Sequence, residues 1–326
     1  MKRRIFVSAI AASIATTAVS ILPAAANEFP NKVIRIIVPS APGGLIDPLA
    51  RLIGDAYEKA WGQPVILDHK PGAGAMNGTD LAAKSTPDGY TLVISAVGPL
   101  SVNPSLYAKM PYDVAKDFTP VALVASFQNV LILDPKVPAN SVAEFTRLAR
   151  DSPGKINYAS SGAGSTQHLS GEMYNALAGI KLTHVPYKGT MPALSDLIAG
   201  HVQGMFINIP AAIPYIESGK VKALAVTGDT RSASLPQVPT MKEAGFPSYS
   251  VTSWVALVGP AGIPAPIVTR LNAEAVQALK SPEGQKLLKA QDAEIGGGSP
   301  EQLKEFMATE RVKWAKLIRE ANIKLE

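Results

Sequence analysis

Two stretches of the sequence place glycines and hydroxyl side chains where a strand is predicted to give way to a helix. The first is IRIIVPSAPGGLID (34–47) and the second is INYASSGAGSTQHLSGEMY (156–174). Glycine permits positive φ and lets a ligand approach backbone N–H groups, and the following helix presents unpaired amides and the positive end of its dipole. Both junctions therefore predict anion sites, although each loop alone is equally compatible with an ordinary helix start.

The side chains in and near these junctions suggest further contacts. His168 lies one turn past the second loop, and Ser165 is placed to cap the helix or to donate to a ligand oxygen. Asp47 is either an N-cap or an acceptor for a ligand donor. Asn208, at the end of the predicted strand QGMFIN (203–208), is either a turn residue or an amide contact to the ligand.

The sequence contains no complete catalytic or nucleotide-binding motif. GAGAMNG (72–78) and GAGSTQ (162–167) both depart from G-x-G-x-x-G, and no P-loop, H-E-x-x-H or G-x-S-x-G occurs. A hydrolase built on Ser165 and His168 would need a positioned base and an orienting group, which the spacing does not supply. We therefore expect no enzyme, no cofactor and no metal site.

The N-terminus has the layout of a secretory signal peptide. Basic residues at positions 2–4 precede an apolar run from Ile5 to Leu22 and an Ala24-Ala25-Ala26 end. A membrane anchor is the alternative, since the run is about long enough to cross a bilayer, but hydroxyl residues dilute it. We expect cleavage after Ala26 and a periplasmic protein, with the Sec and twin-arginine routes both open.

Composition excludes several classes of protein. Cleavage after Ala26 would remove three basic and no acidic residues, which lowers the formal net charge from +5 to +2 and argues against a nucleic-acid partner. The absence of cysteine rules out disulfides, a cysteine-ligated metal and a lipid-modified N-terminal cysteine. We expect a soluble chain that depends on its core for stability.

Short β-branched runs alternate with segments of helical period, which predicts a doubly wound α/β fold. The predicted strands cover residues 33–38, 64–69, 90–95, 155–160, 181–186, 203–208 and 221–228. Apolar residues at helical spacing from Ile46 to Trp61 predict a helix with one buried stripe. Near the C-terminus, Ser299 and Gln302 have the spacing of a capping box.

Two longer apolar runs, FTPVALVASFQNVLILDP (118–135) and SYSVTSWVALVGPAG (248–262), are predicted to cross between two domains. The first domain would then comprise residues 27–125 and 252–326, and the second residues 126–251. A two-strand connection suits hinge closure around a ligand. One large continuous domain is the alternative.

Six stretches, spread in order along the mature chain, carry a family resemblance. They are VPSAPGGLIDPLAR (38–51), KPGAGAMNGTDLAAKSTPDGYTL (70–92), DFTPVALV (117–124), NYASSGAGSTQHLSGEMY (157–174), HVPYKGTMPALSDLIAGHVQGMF (184–206) and SGKVKALAVTGDTRSASLPQVPTMKEAGFPSY (218–249). They resemble the Bug family, the extracytoplasmic solute receptors of tripartite tricarboxylate transporters. The chain departs from the family at Ser40, where a Phe is frequent, and at Ala75, where a Gly is frequent.

The resemblance implies a periplasmic binding protein of type II-like architecture, with two α/β domains joined by two crossing strands. It implies a monomer that holds a small carboxylate between the loops 40–47 and 161–166, partly through ordered water, and delivers it to membrane transporter subunits. A receptor that docks on a sensor kinase is the alternative. The predicted ligand-binding residues are Ser40, Ala41, Gly43, Gly44, Asp47, Val97, Gly98, Ser161, Gly162, Gly164, Ser165, Thr166, His168 and Asn208.

Overall fold

The computed structural model describes residues 29–40, 42–43, 45–187, 189–320 and 323. The predicted signal peptide (1–26) and two predicted ligand-binding residues, Ala41 and Gly44, lie outside the described residues. Within the described part of the chain, no helix has the length and apolar character needed to cross a bilayer.

The described residues form strands and helices in alternation. The strands are β1 (Ile34–Val38), β2 (Val65–His69), β3 (Thr91–Ala96), β4 (Phe118–Leu133), β5 (Asn157–Ser160), β6 (Thr183–Pro186), β7 (Gly204–Asn208), β8 (Lys222–Val226), β9 (Thr252–Pro260) and β10 (Ala293–Gly297). The helices are α1 (Asp47–Trp61), α2 (Met76–Ala83), α3 (Asn103–Leu106), α4 (Val142–Asp151), α5 (Thr166–Ala178), α6 (Thr190–Ala199), α7 (Ile209–Glu217), α8 (Ala265–Lys280), α9 (Pro282–Ala290) and α10 (Pro300–Glu320).

The strands form one mixed sheet in the order β2-β1-β3-β9-β4-β7-β5-β6, with β8 and β10 each paired to β4. Strands β1, β2 and β3 are parallel and carry the first lobe, whereas β5, β6 and β7 are parallel and carry the second lobe. The long strands β4 and β9 lie antiparallel between them. The predicted architecture, two α/β units joined by two long strands, is confirmed.

Strand β4 changes neighbours in the middle of its length. Gln128 pairs with Thr252 of β9, and the next residue, Asn129, pairs with Asn208 of β7. Two register shifts interrupt the β4–β9 ladder on the first-lobe side of this point, and such irregularities bend and twist a strand locally. The chain thus passes from one lobe to the other within a single strand.

Helix α1 confirms the predicted apolar stripe. Leu49, Ala50, Ile53 and Tyr57 are completely buried, and their spacing of three and four residues puts them on one face. The Tyr57 hydroxyl donates to the carbonyl of Leu271 in α8 at 2.7 Å. Packing of α1 against α8 and the sheet therefore fixes where the glycine loop before α1 ends.

The C-terminal helix α10 confirms the predicted capping box. The Gln302 side chain accepts from the Ser299 amide at 2.8 Å, and the Ser299 hydroxyl accepts from the Gln302 amide at 3.3 Å. Further along the helix, the Glu310 carboxylate accepts from the indole N–H groups of Trp254 at 2.9 Å and Trp314 at 3.1 Å. The helix is therefore tied to the crossing strand β9.

The predicted strands generally begin one or two residues before the observed ones. Strand β10 was missed by the sequence analysis, because AEIGG has neither alternation nor β-branched enrichment. It forms because its backbone pairs with β4, with Ala293 opposite Phe127 and Gly297 opposite Leu123.

Candidate functional site

A cleft of about 330 Å³ lies between the two lobes and contains the second glycine junction. Its first wall consists of Gly74, Ala75, Ala96, Val97, Gly98, Pro99, Asn103, Leu106 and Tyr107. Its second wall consists of Ser161, Gly162, Ala163, Gly164, Ser165 and Thr166, and Ser253 of β9 lies between the walls. A larger cavity of about 460 Å³ lies elsewhere, around Arg231 and Asp292, and contains no residue of either junction.

The second junction has the predicted form of strand, glycine loop and helix. Strand β5 ends at Ser160, and Gly162 (φ 139°) and Gly164 (φ 77°) supply the positive φ angles of the turn. Ser165 is the N-cap of α5, and its hydroxyl accepts from the His168 amide at 3.2 Å. Because α5 begins at the cleft, the positive end of its dipole faces the space between the lobes.

Most amides of this loop are already hydrogen-bonded within the protein. Ser161 N–H donates to Gln167 Oε1 at 2.8 Å, Gly162 N–H to Ser160 Oγ at 3.1 Å, Gly164 N–H to His168 Nδ1 at 3.0 Å, and Ser165 N–H to the Gly162 carbonyl at 3.2 Å. The amides of Ala163, Thr166 and Gln167 have no acceptor among the described residues. Ala163 and Thr166 line the cleft, whereas Gln167 is buried. The amides of Ala163 and Thr166, and not those of the glycines, are therefore available to an anion.

His168 supports this loop from behind. Its side chain is buried and stacks on His184, with ring centroids 3.9 Å apart. Burial, followed by the nearby His184, lowers the pKa of His168 to about 3, and burial lowers the pKa of His184 to about 4. His168 is therefore neutral at pH 7, which leaves Nδ1 free to accept from Gly164. It positions the loop and does not line the cleft.

The same geometry removes the hydrolase hypothesis. The Ser165 hydroxyl donates to the Gly162 carbonyl at 2.7 Å, so its proton is directed into the loop. The Nδ1 atom of His168 accepts from a backbone amide. A serine nucleophile needs a base that accepts from its hydroxyl, and this pair lacks that contact.

Gln167 holds the loop to two other elements. It is 2% exposed, and its Nε2 donates to Thr190 Oγ1 at 3.2 Å and to Asn208 Oδ1 at 3.3 Å. Asn208 thus contacts Gln167 and is not among the residues that line the cleft. Gln167 was not among the predicted residues, although a glutamine in the first turn of a helix after a glycine loop is a usable signal.

The first junction is built differently. His69 Nδ1 donates to the Ser40 carbonyl at 3.0 Å, and His69 Nε2 lies 3.1 Å from Asp47 Oδ1, although without good hydrogen-bond geometry. Asp47 is the first residue of α1, whose N-cap is Ile46, so the N-cap interpretation of Asp47 is wrong. Ser40, Gly43 and Asp47 do not line the cleft in the described structure.

The first-lobe wall includes residues that the sequence analysis predicted and others that it missed. Val97 and Gly98, after β3, line the cleft as expected. Ala73 (φ 48°), Gly74 (φ 60°) and Ala75 (φ 70°) form a left-handed turn beside them. Non-glycine residues in this region cost about 1–2 kcal/mol each, and such outliers are concentrated at functional sites. Ala75, where a Gly is frequent in the resembled family, both precedes α2 and borders the cleft.

The described lining of the cleft contains no charged side chain. Among the described residues there is also no cluster of His, Asp and Glu side chains that could hold a metal ion. The electrostatics of the cleft therefore come from main-chain dipoles, the start of α5 and neutral hydrogen-bonding side chains.

Comparison with known proteins agrees with this architecture. The sequence profile of the family described as "Tripartite tricarboxylate transporter family receptor" matches residues 49–323. The chain is similar to Rpa4515 of R. palustris, solved with adipate, at 37% identity and a TM-score of 0.79, covering 91% of this chain and 99% of that one.

Two other solved structures show the same likeness. The periplasmic binding protein BugD is 33% identical with a TM-score of 0.75, covering 91% of this chain and all of its own. MatC (Rpa3494) from Rhodopseudomonas palustris, solved with bound malate, is 33% identical with a TM-score of 0.75, covering 89% of this chain and all of its own. The chain therefore belongs to the tripartite tricarboxylate transporter receptor family, whose members, Bug proteins among them, are periplasmic solute-binding receptors and not enzymes.

Proposed function

We propose that this receptor binds a small carboxylate in the cleft and delivers it to a tripartite tricarboxylate-type membrane transporter. The main support is the free amides of Ala163 and Thr166 beside the start of α5, in a cleft whose described lining is uncharged. The adipate and malate in two related structures are both dicarboxylates.

Main-chain donors can supply much of the binding free energy. A hydrogen bond to a charged group contributes about 1.5–3 kcal/mol, and a favourably placed helix terminus contributes up to about 2 kcal/mol. A micromolar Kd corresponds to about 8 kcal/mol net of the cost of association. Two amides and one helix terminus would therefore supply a large part of this free energy without a cation.

The proposed site follows from this arrangement. Ser161, Gly162, Gly164, Ser165 and Thr166 would contact the ligand from the second lobe, and Val97 and Gly98 from the first. His168 and Asn208 would act by holding the loop. Ser40, Ala41, Gly43, Gly44 and Asp47 stay predicted contacts of the first loop.

We further propose hinge closure between domains 27–125 plus 252–326 and 126–251, with the change of neighbours at Gln128 and Asn129 close to the hinge. The signal peptide would be cleaved after Ala26, and the mature protein would act as a monomer. Because the anion is held by dipoles without an opposing charge, opening of the lobes would be sufficient for release.

Thermal unfolding with a panel of small carboxylates tests the ligand class. A ligand at 100 times its Kd adds about 2.7 kcal/mol to the stability of the folded state, so adipate or malate at millimolar concentration is expected to raise the Tm. The neutral 1,6-hexanediol serves as the control for adipate. Stabilisation by non-acidic compounds with none by any carboxylate would contradict the proposal.

A second experiment tests the role of the α5 amides. Thr166→Pro removes one free N–H, yet proline is favoured at the first helical position and Ser165 already has the extended backbone (ψ 156°) that precedes a proline. We expect the Kd for the carboxylate to rise about tenfold or more. Thr166→Val keeps the amide and removes the hydroxyl, so equal losses in both variants would exclude the amide as the donor.

Delivery to a transporter has its own readout. Deleting the gene is expected to abolish uptake of the bound carboxylate by whole cells, and re-expression of the intact chain is expected to restore it. Thr166→Pro should restore it poorly at low ligand concentration. Normal uptake in the deletion strain, with loss of a transcriptional response to the ligand, would favour the sensor-kinase alternative.

A further inference from the structure

The cleft contains a polar side chain that the carboxylate site described above does not use. Asn103 lines the first-lobe wall and is only 6% exposed, yet its side-chain amide makes no hydrogen bond with any described residue. Buried side-chain amides nearly always have a partner, and an amide left without one costs free energy. The side-chain amide of Asn103 borders the cleft, so it is available to a partner that enters from there.

Tyr107 borders the same free space. A Cβ atom at Gly74 would lie 3.9 Å from Asn103 Nδ2 and 3.8 Å from Tyr107 Oη, so both polar atoms face the gap that the missing side chain leaves. The Tyr107 hydroxyl also makes no hydrogen bond with the described residues, and the residue is 36% exposed. Two potential donors therefore converge beside Gly74.

Local structure fixes this pair in place. The backbone N–H of Asn103 donates to the Gly98 carbonyl, and the backbone N–H of Tyr107 donates to the Asn103 carbonyl at 3.0 Å. The neighbouring residues Leu100 and Val102 are completely buried. The backbone that carries both side chains is thus anchored in the first lobe, on the wall opposite the start of α5.

We propose that Asn103 and Tyr107 recognise a second oxygen-bearing group at the end of the ligand remote from α5. This inference rests on the proposed function, in which α5 holds the first carboxylate. An amide N–H and a phenol O–H both donate to an oxygen acceptor. Because neither donor carries a charge, the pair would select an acceptor oxygen, whether it belongs to a second carboxylate or to a neutral amide carbonyl. Acids with a purely hydrocarbon tail would leave Asn103 unpaired.

Three ligands of matched length separate these cases: adipate, its monoamide and hexanoate. Titration calorimetry of the unaltered protein is expected to give Kd values at least tenfold lower for adipate and the monoamide than for hexanoate. Tighter binding of adipate would mean that the second group is selected as a carboxylate. Tighter binding of the monoamide would mean that it is selected as a neutral carbonyl. If hexanoate binds as tightly as both, this inference is wrong while the proposed function stands.

The variants Asn103→Leu and Tyr107→Phe assign the effect to the pair. Each is expected to raise the Kd of adipate and the monoamide, by about tenfold and about threefold respectively, and to leave the Kd of hexanoate unchanged. Tyr215→Phe, outside the cleft, is the control. Equal weakening of all three ligands would indicate a structural role and overturn the inference, and Tyr107→Phe decides the matter if Asn103→Leu does not fold. Binding of none of the three, or of any other carboxylate, would overturn the proposed function itself.

Discussion

The two glycine junctions look alike in sequence and differ in what lies behind them. At the second junction, the Gln167 side chain accepts a hydrogen bond from the Ser161 amide, and the His168 side chain accepts one from the Gly164 amide. The loop borders the cleft. At the first junction, His69 donates to the Ser40 carbonyl, and the described residues of the loop do not border the cleft.

This difference teaches that glycines alone do not define an anion site. Glycine gives the backbone its conformational freedom, but the amides that it exposes can already be hydrogen-bonded to neighbouring side chains. In the second junction those internal bonds leave a particular set of amides free. The supporting side chains therefore decide which donors a ligand meets.

The largest expected difference between the junctions concerns helix packing. Each following helix has a glycine in its interior, Gly54 in α1 and Gly171 in α5. A Cβ at Gly171 would overlap the ring of the buried Tyr158, whereas one at Gly54 would lie 3.3 Å from Val65 Cγ1. We expect Gly171→Ala to lower the free energy of unfolding by about 3 kcal/mol and Gly54→Ala to change it by less than about 1 kcal/mol. Urea unfolding measures both, and similar losses would mean that the two helices are packed alike.

Acid should weaken the support of the second junction. The pKa of His168 is about 3 in the folded protein, mainly through burial and then through His184, against about 6.5 in an unfolded chain. Below pH 6.5 the unfolded chain therefore binds a proton that the folded state does not. The contribution of His168 to the free energy of unfolding is therefore complete above pH 6.5 and falls with the pH. At pH 5 the free energy of unfolding is expected to be lower by about 2 kcal/mol on this account.

The variant His168→Asn isolates this effect, since an asparagine oxygen can still accept from Gly164. Burial raises the pKa of Glu172, and its titration opposes that of the histidine in both proteins. The measurement is the difference in unfolding free energy between pH 7 and pH 5 by urea titration. If the wild type and His168→Asn lose the same amount, the histidine is not the source.

The side chains behind the two loops should differ in their influence on binding. Gln167→Leu leaves the Ser161 amide without its acceptor and removes two further bonds, so we expect the Kd for the carboxylate to rise about tenfold. His69→Leu is the matched change at the first junction, and we expect it to raise the Kd less, because it removes a single hydrogen bond to the loop, at the Ser40 carbonyl. Equal losses by calorimetry would mean that the two supports matter equally for binding.

The smallest expected effect concerns the left-handed turn that forms the first-lobe wall. Ala75 has φ 70° and directly precedes α2, a conformation that glycine adopts without strain. Ala75→Gly is expected to raise the free energy of unfolding by about 0.5–1 kcal/mol. Ala82→Gly, inside α2, should lower it by about 1 kcal/mol. Destabilisation by Ala75→Gly in thermal unfolding would show that the turn is not strained.

Local periodicity predicted much of the fold. The stripe on α1, the capping box at Ser299 and the two long strands are signals carried by residues close together in the sequence, and all three are present. Strand β10 could not be found this way, because its glycine-rich sequence depends on pairing with β4.

The site was less predictable than the fold for the same reason. The second junction and Val97–Gly98 carry a local glycine signal. The contacts of Gln167 with Asn208 and of His69 with Ser40 join residues far apart in the chain, as does the convergence of Asn103 and Tyr107 beside Gly74. Only the tertiary structure tells which amides these contacts occupy and which they leave free.

The carboxylate shared by two tryptophans gives the molecule an intrinsic optical reporter. Two of the three indoles in the chain, Trp254 and Trp314, donate to Glu310, and Trp254 directly follows Ser253 at the base of the cleft. Indole emission responds to nearby charge, so a shift of β9 relative to α10 alters two fluorophores together. Because Ser253 borders the cleft, a bound ligand is expected to change the emission of the neighbouring Trp254 in the native chain, without an attached dye.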